Sequence, residues 1–193
     1  MPELPGWLRS LAGDRPPREA LRGVPADDRL LAWATLEGGG IVLATRCGLW
    51  LPDRTERPLG WHQIVRATWR DGVLTLVEAV EAVRPEQTVR PEETGLTGRG
   101  ARVMVESPPA RYRLTEPRRV PFTVRQRVEH SIGYRAHHHL DPSGGVYVVG
   151  RRVAGRDGLT WYLIFDGGAD PEDPLARIRA DELLAEARDA TGL

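Results

Sequence analysis

Apolar and polar residues alternate in short runs along most of the chain, and this alternation predicts β-strands. The clearest run is 159–166, where Leu159, Trp161, Leu163 and Phe165 recur at every second residue. A period of two places these side chains on one face of a strand, so we expect that face to meet a core. Further runs of strand length occupy 30–36, 41–45, 48–52, 64–69, 73–77, 103–105, 111–114, 132–140 and 146–153.

The connections between these runs are marked by turn residues. Asp71-Gly72 separates two strand-like runs and predicts a tight hairpin, because both central residues of that turn have positive φ. Gly38-Gly39-Gly40 predicts a loop, and 54–60, which contains Pro58, is predicted as a polar connection. The segment 81–100 holds two Pro, Glu-Glu and three Gly, so we predict a mobile loop there.

Two helices are predicted in the second half of the chain. Pro121 suits the first turn of a helix over 118–131, where its missing N–H costs nothing. In the last helix, Asp173 is the predicted N-cap and Pro174 the first helical residue. The buried stripe of that helix is predicted to be Ala176, Ala180, Leu183, Leu184 and Ala187.

The N-terminal part has a weaker helical pattern. Apolar residues at i, i+3, i+4 and i+7 predict a short helical arm, namely Leu4, Trp7, Leu8 and Leu11. Pro16, Pro17 and Pro25 then indicate a Pro-rich tether that ends near residue 27.

Charge is balanced over the whole chain but not along it. The 193 residues include 27 basic residues, all of them Arg, and 27 acidic residues. Segment 99–135 has nine Arg and three Glu, whereas 166–189 has eight acids and three Arg. The favoured interpretation is that the two segments face each other in the fold; alternatively, the basic segment receives an anionic partner. Overall neutrality argues against general nucleic-acid binding, which depends on phosphate neutralisation.

Cysteine content and hydropathy suggest a compartment. Cys47 is the only cysteine, so an intramolecular disulfide is excluded, and its apolar context predicts a small buried side chain. No run of about 18 apolar residues is present, which predicts no transmembrane helix. The N-terminus lacks the basic and apolar regions of a secretion signal, and we therefore expect a cytoplasmic protein.

The region from Leu30 to Glu78 contains four distinctive motifs, namely Leu31-Ala32-Trp33-Ala34, Val42 through Leu51, Gly60-Trp61-His62-Gln63-Ile64 and Ala67-Thr68-Trp69. In these motifs the region resembles the β-rich core of bacterial pleckstrin-homology-like proteins. Over most of its length the chain is similar to an uncharacterised actinobacterial protein family with such a core, including Val124–Ser131 and Gly150–Trp161. The resemblance implies a bent antiparallel sheet or split barrel closed by a helix. Lipid-binding members of that class use a basic loop, whereas Glu37-Gly38-Gly39-Gly40 has no cation, so membrane-lipid binding is not expected.

These observations predict an α+β fold, mainly antiparallel β. A pleckstrin-homology-like bent sheet or split barrel is expected first, then a helix, a three-stranded antiparallel unit and a C-terminal helix. The predicted organisation is an arm and tether at 1–27, a β domain at 28–117 with the mobile loop at 81–100, and a unit at 118–193. The last two parts could also form one unit.

The sequence gives little evidence for a metal site. His137 and His139 would share one strand face with Arg135, and His138 would lie on the other face as a core or hydrogen-bonded residue. Zinc needs three or four ligands, and Asp141 is the only acidic residue near in sequence, so a solvated strand face is favoured. The acidic turn 166–173 does not have EF-hand spacing, and helix capping accounts for Asp173.

Other motifs favour structure over chemistry. The glycine-rich stretch 95–100 does not have the dinucleotide-binding pattern, and we find no nucleophile elbow, phosphate-loop lysine or helical metalloprotease pair. Five tryptophans in strand contexts are predicted to be core residues and not a base-stacking surface; they are Trp33, Trp50, Trp61, Trp69 and Trp161.

Three functions remain open from the sequence, and no catalytic, cofactor-binding or metal residue is assigned. The first is a non-enzymatic interaction or scaffold module that presents its sheet or its Arg-rich helix to a protein partner, with Arg118, Arg119, Arg125 and Arg127. The second is a small-molecule or anion-binding enzyme with a site between the two parts; its candidates are His137, His139, Arg135 and Arg151. The third is nucleic-acid binding through 99–135.

Overall fold

The chain forms one mixed, mainly antiparallel open sheet of eleven strands with two α-helices, as seen in a computed structural model that describes residues 15–82 and 101–192. The first six strands are β1 (Leu30–Leu36), β2 (Ile41–Thr45), β3 (Gly48–Leu51), β4 (Arg54–Gly60), β5 (Ile64–Arg70) and β6 (Val73–Glu81). After them come β7 (Arg102–Glu106), β8 (Ala110–Glu116), α1 (Val120–Ser131), β9 (Ile132–His139), β10 (Gly145–Arg151), β11 (Thr160–Asp166) and α2 (Pro174–Thr191). Short 3-10 turns occupy Arg18–Leu21 and Trp61–Gln63.

Strand β6 connects the two halves of the sheet. Its first half pairs with β8 and its second half pairs with β7, so β7 and β8 follow one another along the same edge. The path continues from β8 through β1, β2 and β3 to β4, and from β7 through β11 and β10 to β9. Strand β5 pairs with the opposite edge of β6. Only the β7–β11 pair is parallel among the strand pairs of the described residues.

Each α-helix covers a separate part of the sheet. Helix α1 places Val120, Val124 and Val128 in a core with side chains from β1 to β6 and β8. Helix α2 packs its predicted stripe, from Ala176 to Ala187, on β7, β10 and β11 in a second core. Burial of these apolar surfaces is the main stabilising contribution to the fold. Neither helix in the described part of the chain is long and apolar enough to cross a membrane.

Most predicted elements are confirmed. The Asp71-Gly72 hairpin has φ of 51° and 77°, as its turn type requires. Asp173 caps α2 by accepting a hydrogen bond from the backbone N of Leu175 at 3.1 Å. The three-stranded antiparallel unit is β9, β10 and β11. The predicted arm at residues 4–11 and most of the predicted loop 81–100 lie outside the described residues, although Glu81 itself ends β6.

The predicted polar connection at 54–60 is wrong, because these residues form β4. Within residues 15–82 and 101–192 this strand pairs only with β3, through Gly48 with Gly60 and Leu49 with Leu59 among others. Proline is tolerated in an edge strand because its missing N–H removes no bond of the sheet. Pro58 therefore does not exclude a strand here, and Leu59 is buried in the first core.

Candidate functional site

A large, open groove lies between the edge strand β5 and helix α1. It has a volume of about 1150 Å³. One wall is β5 with the start of β6, and the other is the face of α1 from Pro121 to Glu129. We call this cavity the β5–α1 groove. Arg135 in the middle of β9 also lines it.

The groove is open because, among the described residues, β5 has a strand neighbour on one side only. Strand β5 pairs with β6 from Ile64 to Arg70, with a register shift between Ile64 and Arg66. Beyond that shift, Ala67 faces Leu76 and Trp69 faces Leu74 in the pairing. Residues directly opposite share a face, and Leu74 and Leu76 pack in the α1 core. Ala67 and Trp69 therefore lie on the side of β5 that faces the helix.

Two aromatic side chains in the groove are exposed. Trp69 is 40% exposed and Phe122 on α1 is 61% exposed. They are the only aromatic residues among the exposed large apolar side chains of the described residues. The prediction that Trp69 is a core residue is therefore wrong, because the residue lies in the edge strand β5 and lines the open groove. The other four predicted tryptophans are buried.

The groove is strongly cationic. Its lining includes six arginines and two acids. The arginines are Arg66, Arg70, Arg111, Arg113, Arg125 and Arg135, and the acids are Asp71 and Glu129. The ion pairs within reach are exposed ones, such as Arg125–Glu129 at 2.8 Å and Arg66–Glu106 at 3.4 Å. Exposed pairs stabilise a protein little, so these guanidinium groups can exchange partners at low cost.

The arginines proposed from the sequence have different environments. Arg118 and Arg119 precede α1, and the Arg118 guanidinium lies 3.5 Å from the centre of the Trp33 ring. Arg127 donates to the carbonyl oxygen of Arg46 at 2.8 Å. Of the four proposed arginines, Arg125 alone lines the groove, and its hydrogen bond to Glu129 raises its pKa.

The basic segment and the acidic segment have separate ion-pair partners. Arg102 pairs with Glu81 and Arg113 with Glu37. In α2, Glu182 and Glu186 pair with Arg179 of the same helix. The pairs of Arg102 and Arg113 join the basic segment to acids outside it, and the pairs in α2 lie within the acidic segment, so none of these pairs joins the two segments as the charge pattern favours.

The four residues proposed for a site between the two parts do not converge on one pocket. His137 and His139 lie exposed on one face of β9, where His137 Nε2 is 3.3 Å from Asp166 Oδ1. Arg135 lies over the Tyr147 ring at 4.5 Å. Arg151 is 1% exposed beneath the end of α1. Among the described residues, no three His, Cys, Asp or Glu side chains are placed to hold a metal ion.

Arg151 is a buried cation bound mainly by backbone. Its Nη1 donates to Ser131 Oγ at 2.8 Å and its Nη2 donates to the Ile64 carbonyl oxygen at 2.9 Å. Burial, followed by repulsion from Arg135, lowers its pKa to about 10. The guanidinium therefore stays charged at neutral pH and joins α1, β5 and β10.

Cys47 is only partly buried, contrary to the expectation from its apolar context. It lies in the turn between β2 and β3, where its backbone N–H donates to Asp28 Oδ1 at 3.0 Å. Burial, followed by the hydrogen bond and charge of Asp28, raises the thiol pKa. Thiolate chemistry needs a lowered pKa, so this cysteine is not an activated nucleophile.

The sequence analysis does not predict the groove, although it does predict two of the strands that form it. The Asp71-Gly72 hairpin predicts β5 and β6 as neighbours, but which strand has an open edge depends on pairings between distant residues.

Comparison of the chain with models of protein families, with curated proteins and with solved structures finds no match.

Proposed function

We propose that this protein is a non-enzymatic interaction module that binds an extended, acidic segment of a partner protein in the β5–α1 groove. The observation that carries the proposal is an open strand edge lying beside exposed aromatic side chains and an excess of arginine. Each of these three features selects a different property of the partner.

The open edge selects an extended backbone. The outer edge of β5 presents N–H and C=O groups without a strand partner in the described residues, and an added strand satisfies such groups. From Val65 to Arg70 the edge is about 20 Å long, at roughly 3.3 Å per residue. A partner segment of about six residues fits this length.

The exposed aromatics select an apolar anchor. Trp69 on β5 and Phe122 on α1 line the same groove from opposite walls. Binding energy at protein interfaces is concentrated in a few buried aromatic and arginine residues. A partner segment with an aliphatic or aromatic side chain between the two rings would bury both of them.

The arginines select acidic flanks. Arg70 and Arg111 line the groove from the face of the sheet opposite to Trp69, because they pair with Val73 and Thr75 whereas Trp69 pairs with Leu74. Alternate side chains of a strand added at the β5 edge point to that face, and carboxylates are the groups that a guanidinium binds bidentately. Nucleic acid is the other anionic partner, but it would leave the backbone groups of the β5 edge unpaired. The overall charge of zero also favours a protein partner.

The fold we propose for the first part is pleckstrin-homology-like. The support is the order of elements: β1 to β4 form one antiparallel run, β5, β6 and β8 form a second, and α1 follows and packs on their shared core. Such a scaffold does not by itself define a function, so the groove carries the functional argument.

Selection of peptides on the full chain tests the proposal. We expect binders from a random displayed library to be acidic, to alternate apolar residues with polar ones, and to lose binding to the variant W69S/F122S. The matched control is L175S/I178S, which removes two exposed apolar side chains from α2. Charge is tested by R70E/R111E against R57E, an exposed arginine of β4.

Two outcomes would overturn the proposal. One is a set of selected peptides that bind W69S/F122S as well as they bind the natural chain. The other is salt-sensitive binding of single-stranded nucleic acid that is lost in R70E/R111E while no acidic peptide binds, which would assign the groove to nucleic acid.

A further inference from the structure

A second, smaller cavity lies at the end of α1 and is lined by basic side chains. Its volume is about 140 Å³, below the range of roughly 300–1,000 Å³ for drug-sized ligands. Its basic lining residues are Arg46, His62, Arg127, His130 and Arg152, and no carboxylate in the part of the chain that the structure describes lines it. We call this cavity the Arg152 pocket. It is built from the β2–β3 turn, the 3-10 turn before β5, the end of α1 and the residues after β10.

Two of the guanidinium groups are held in place by backbone carbonyls. Arg127 Nη2 donates to the Arg46 carbonyl at 2.8 Å. Arg152 Nη1 donates to the carbonyls of Ile132 at 3.0 Å and His130 at 3.3 Å. Each guanidinium has five N–H donors, and these bonds occupy one terminal nitrogen of each. The remaining donors are fixed in orientation before any ligand arrives, which lowers the entropy cost of binding.

The positive charge at this place is not offset within the pocket. The carbonyls at the end of α1 carry the negative end of the helix dipole, but Arg151 and Arg152 already bond to them. Asp28, the carboxylate that contacts the Cys47 backbone, does not line the pocket. Burial, followed by the charges of Arg151, Arg102 and Arg156, lowers the pKa of His62 to about 4, so this imidazole is neutral at pH 7 and the arginines of the lining supply the positive charge.

We propose that the Arg152 pocket binds a tetrahedral oxyanion, the phosphate or sulfate group of a small ligand or of a larger molecule. Oxyanions have the geometry that fixed guanidinium groups recognise. The neutral Cys47 thiol at the edge of the pocket provides no thiolate for attack on phosphorus, so the proposal is binding without a covalent step. It is independent of the groove and of the partner proposed for it.

Titration of the full chain with inorganic sulfate and inorganic phosphate, at constant ionic strength set by chloride, tests this proposal. The probe is the Trp61 indole N–H resonance, because Trp61 lines the pocket. We expect saturable shifts at Trp61 and His62. R46Q should weaken sulfate binding about tenfold, the loss that corresponds to one charge-assisted hydrogen bond. Arg46 is exposed, so R46Q should fold normally.

R57Q is the matched control, since Arg57 is also exposed and belongs to β4; it should bind sulfate like the natural chain. Phosphoserine peptide and a nucleoside monophosphate distinguish the sources of the group: a ligand that binds more tightly than inorganic phosphate identifies the class, and equal affinity identifies the free ion. Non-saturating shifts spread over arginine-rich surfaces, or unchanged sulfate affinity in R46Q, would overturn the proposal.

Discussion

The guanidinium of Arg151 donates to the carbonyl oxygen of Ile64 across 2.9 Å and thereby joins β10 to the first residue of β5. The two residues are 87 positions apart in the sequence, and both are buried. The same guanidinium bonds to Ser131 at the end of α1. One side chain therefore fixes the place where the strand and the helix of the groove come together.

Shortening Arg151 should destabilise the fold. R151A would leave a cavity and the Ile64 carbonyl without its donor, and we expect a loss of about 4 kcal/mol in the free energy of unfolding. R151M would fill most of the volume and should lose about 2 kcal/mol, since it also removes a costly buried charge. Urea unfolding measures both, with exposed Arg152→Ala as the control at about 1 kcal/mol or less. R151M as stable as the natural chain would mean that the hydrogen bonds do not outweigh the desolvation cost.

Gly144 and Gly155 form a matched pair for testing a tight contact between two turns. Both have positive φ, 79° and 77°, so alanine strains the backbone equally at each. A Cβ on Gly144 would overlap the backbone of Ala169 and Asp166, whereas nothing lies within 4 Å at Gly155. G155A should cost about 1–2 kcal/mol, and G144A about 2 kcal/mol more because a neighbouring turn must move. Equal losses in thermal or urea unfolding would show that the two turns do not touch.

The local sequence pattern predicts most of the strands and helices, but it does not predict the two cavities. The Asp71-Gly72 hairpin and the Asp173 cap depend on residues close in sequence, and both were predicted. The exposure of Trp69 depends on the open edge of β5, and the burial of Arg151 depends on contacts with β5 and α1. Such relationships between distant residues leave no periodic signal in the sequence. Strand β4 is not predicted because Pro58 argues against a central strand. Proline does not argue against an edge strand, and the sequence does not show that β4 is one.

His62 should make stability depend on pH. The ring is stacked on Tyr162, with centroids 6.3 Å apart, and burial followed by the charges of Arg151, Arg102 and Arg156 lowers its pKa from 6.5 to about 4. Between these values the unfolded chain binds more protons than the folded chain, so stability falls as the pH falls from 6.5 to about 4. The loss from this residue should be about 2 kcal/mol, less than the full shift implies because part of the ring is exposed.

The measurement is urea unfolding of the natural chain and of H62Q across that pH range. Removal of the imidazole changes absolute stability by removing the contact with Tyr162, so the slope with pH is the informative quantity. H62Q should have the shallower slope, because the carboxylates that also titrate there are common to both proteins. Identical slopes would contradict the lowered pKa.

Substitution of Trp69 should affect peptide binding, whereas substitution of Trp161 should affect the stability of the fold. Trp161 is 5% exposed and packs against Tyr134 in the α2 core, so W161S should cost about 3–5 kcal/mol. Trp69 is 40% exposed at the groove, and W69S should cost about 1 kcal/mol or less while it abolishes binding of peptides selected on the natural chain. Urea unfolding and peptide titration on the same preparations measure both effects. If W69S loses as much stability as W161S, Trp69 is a core residue in solution, and the groove then has no free apolar surface for a partner.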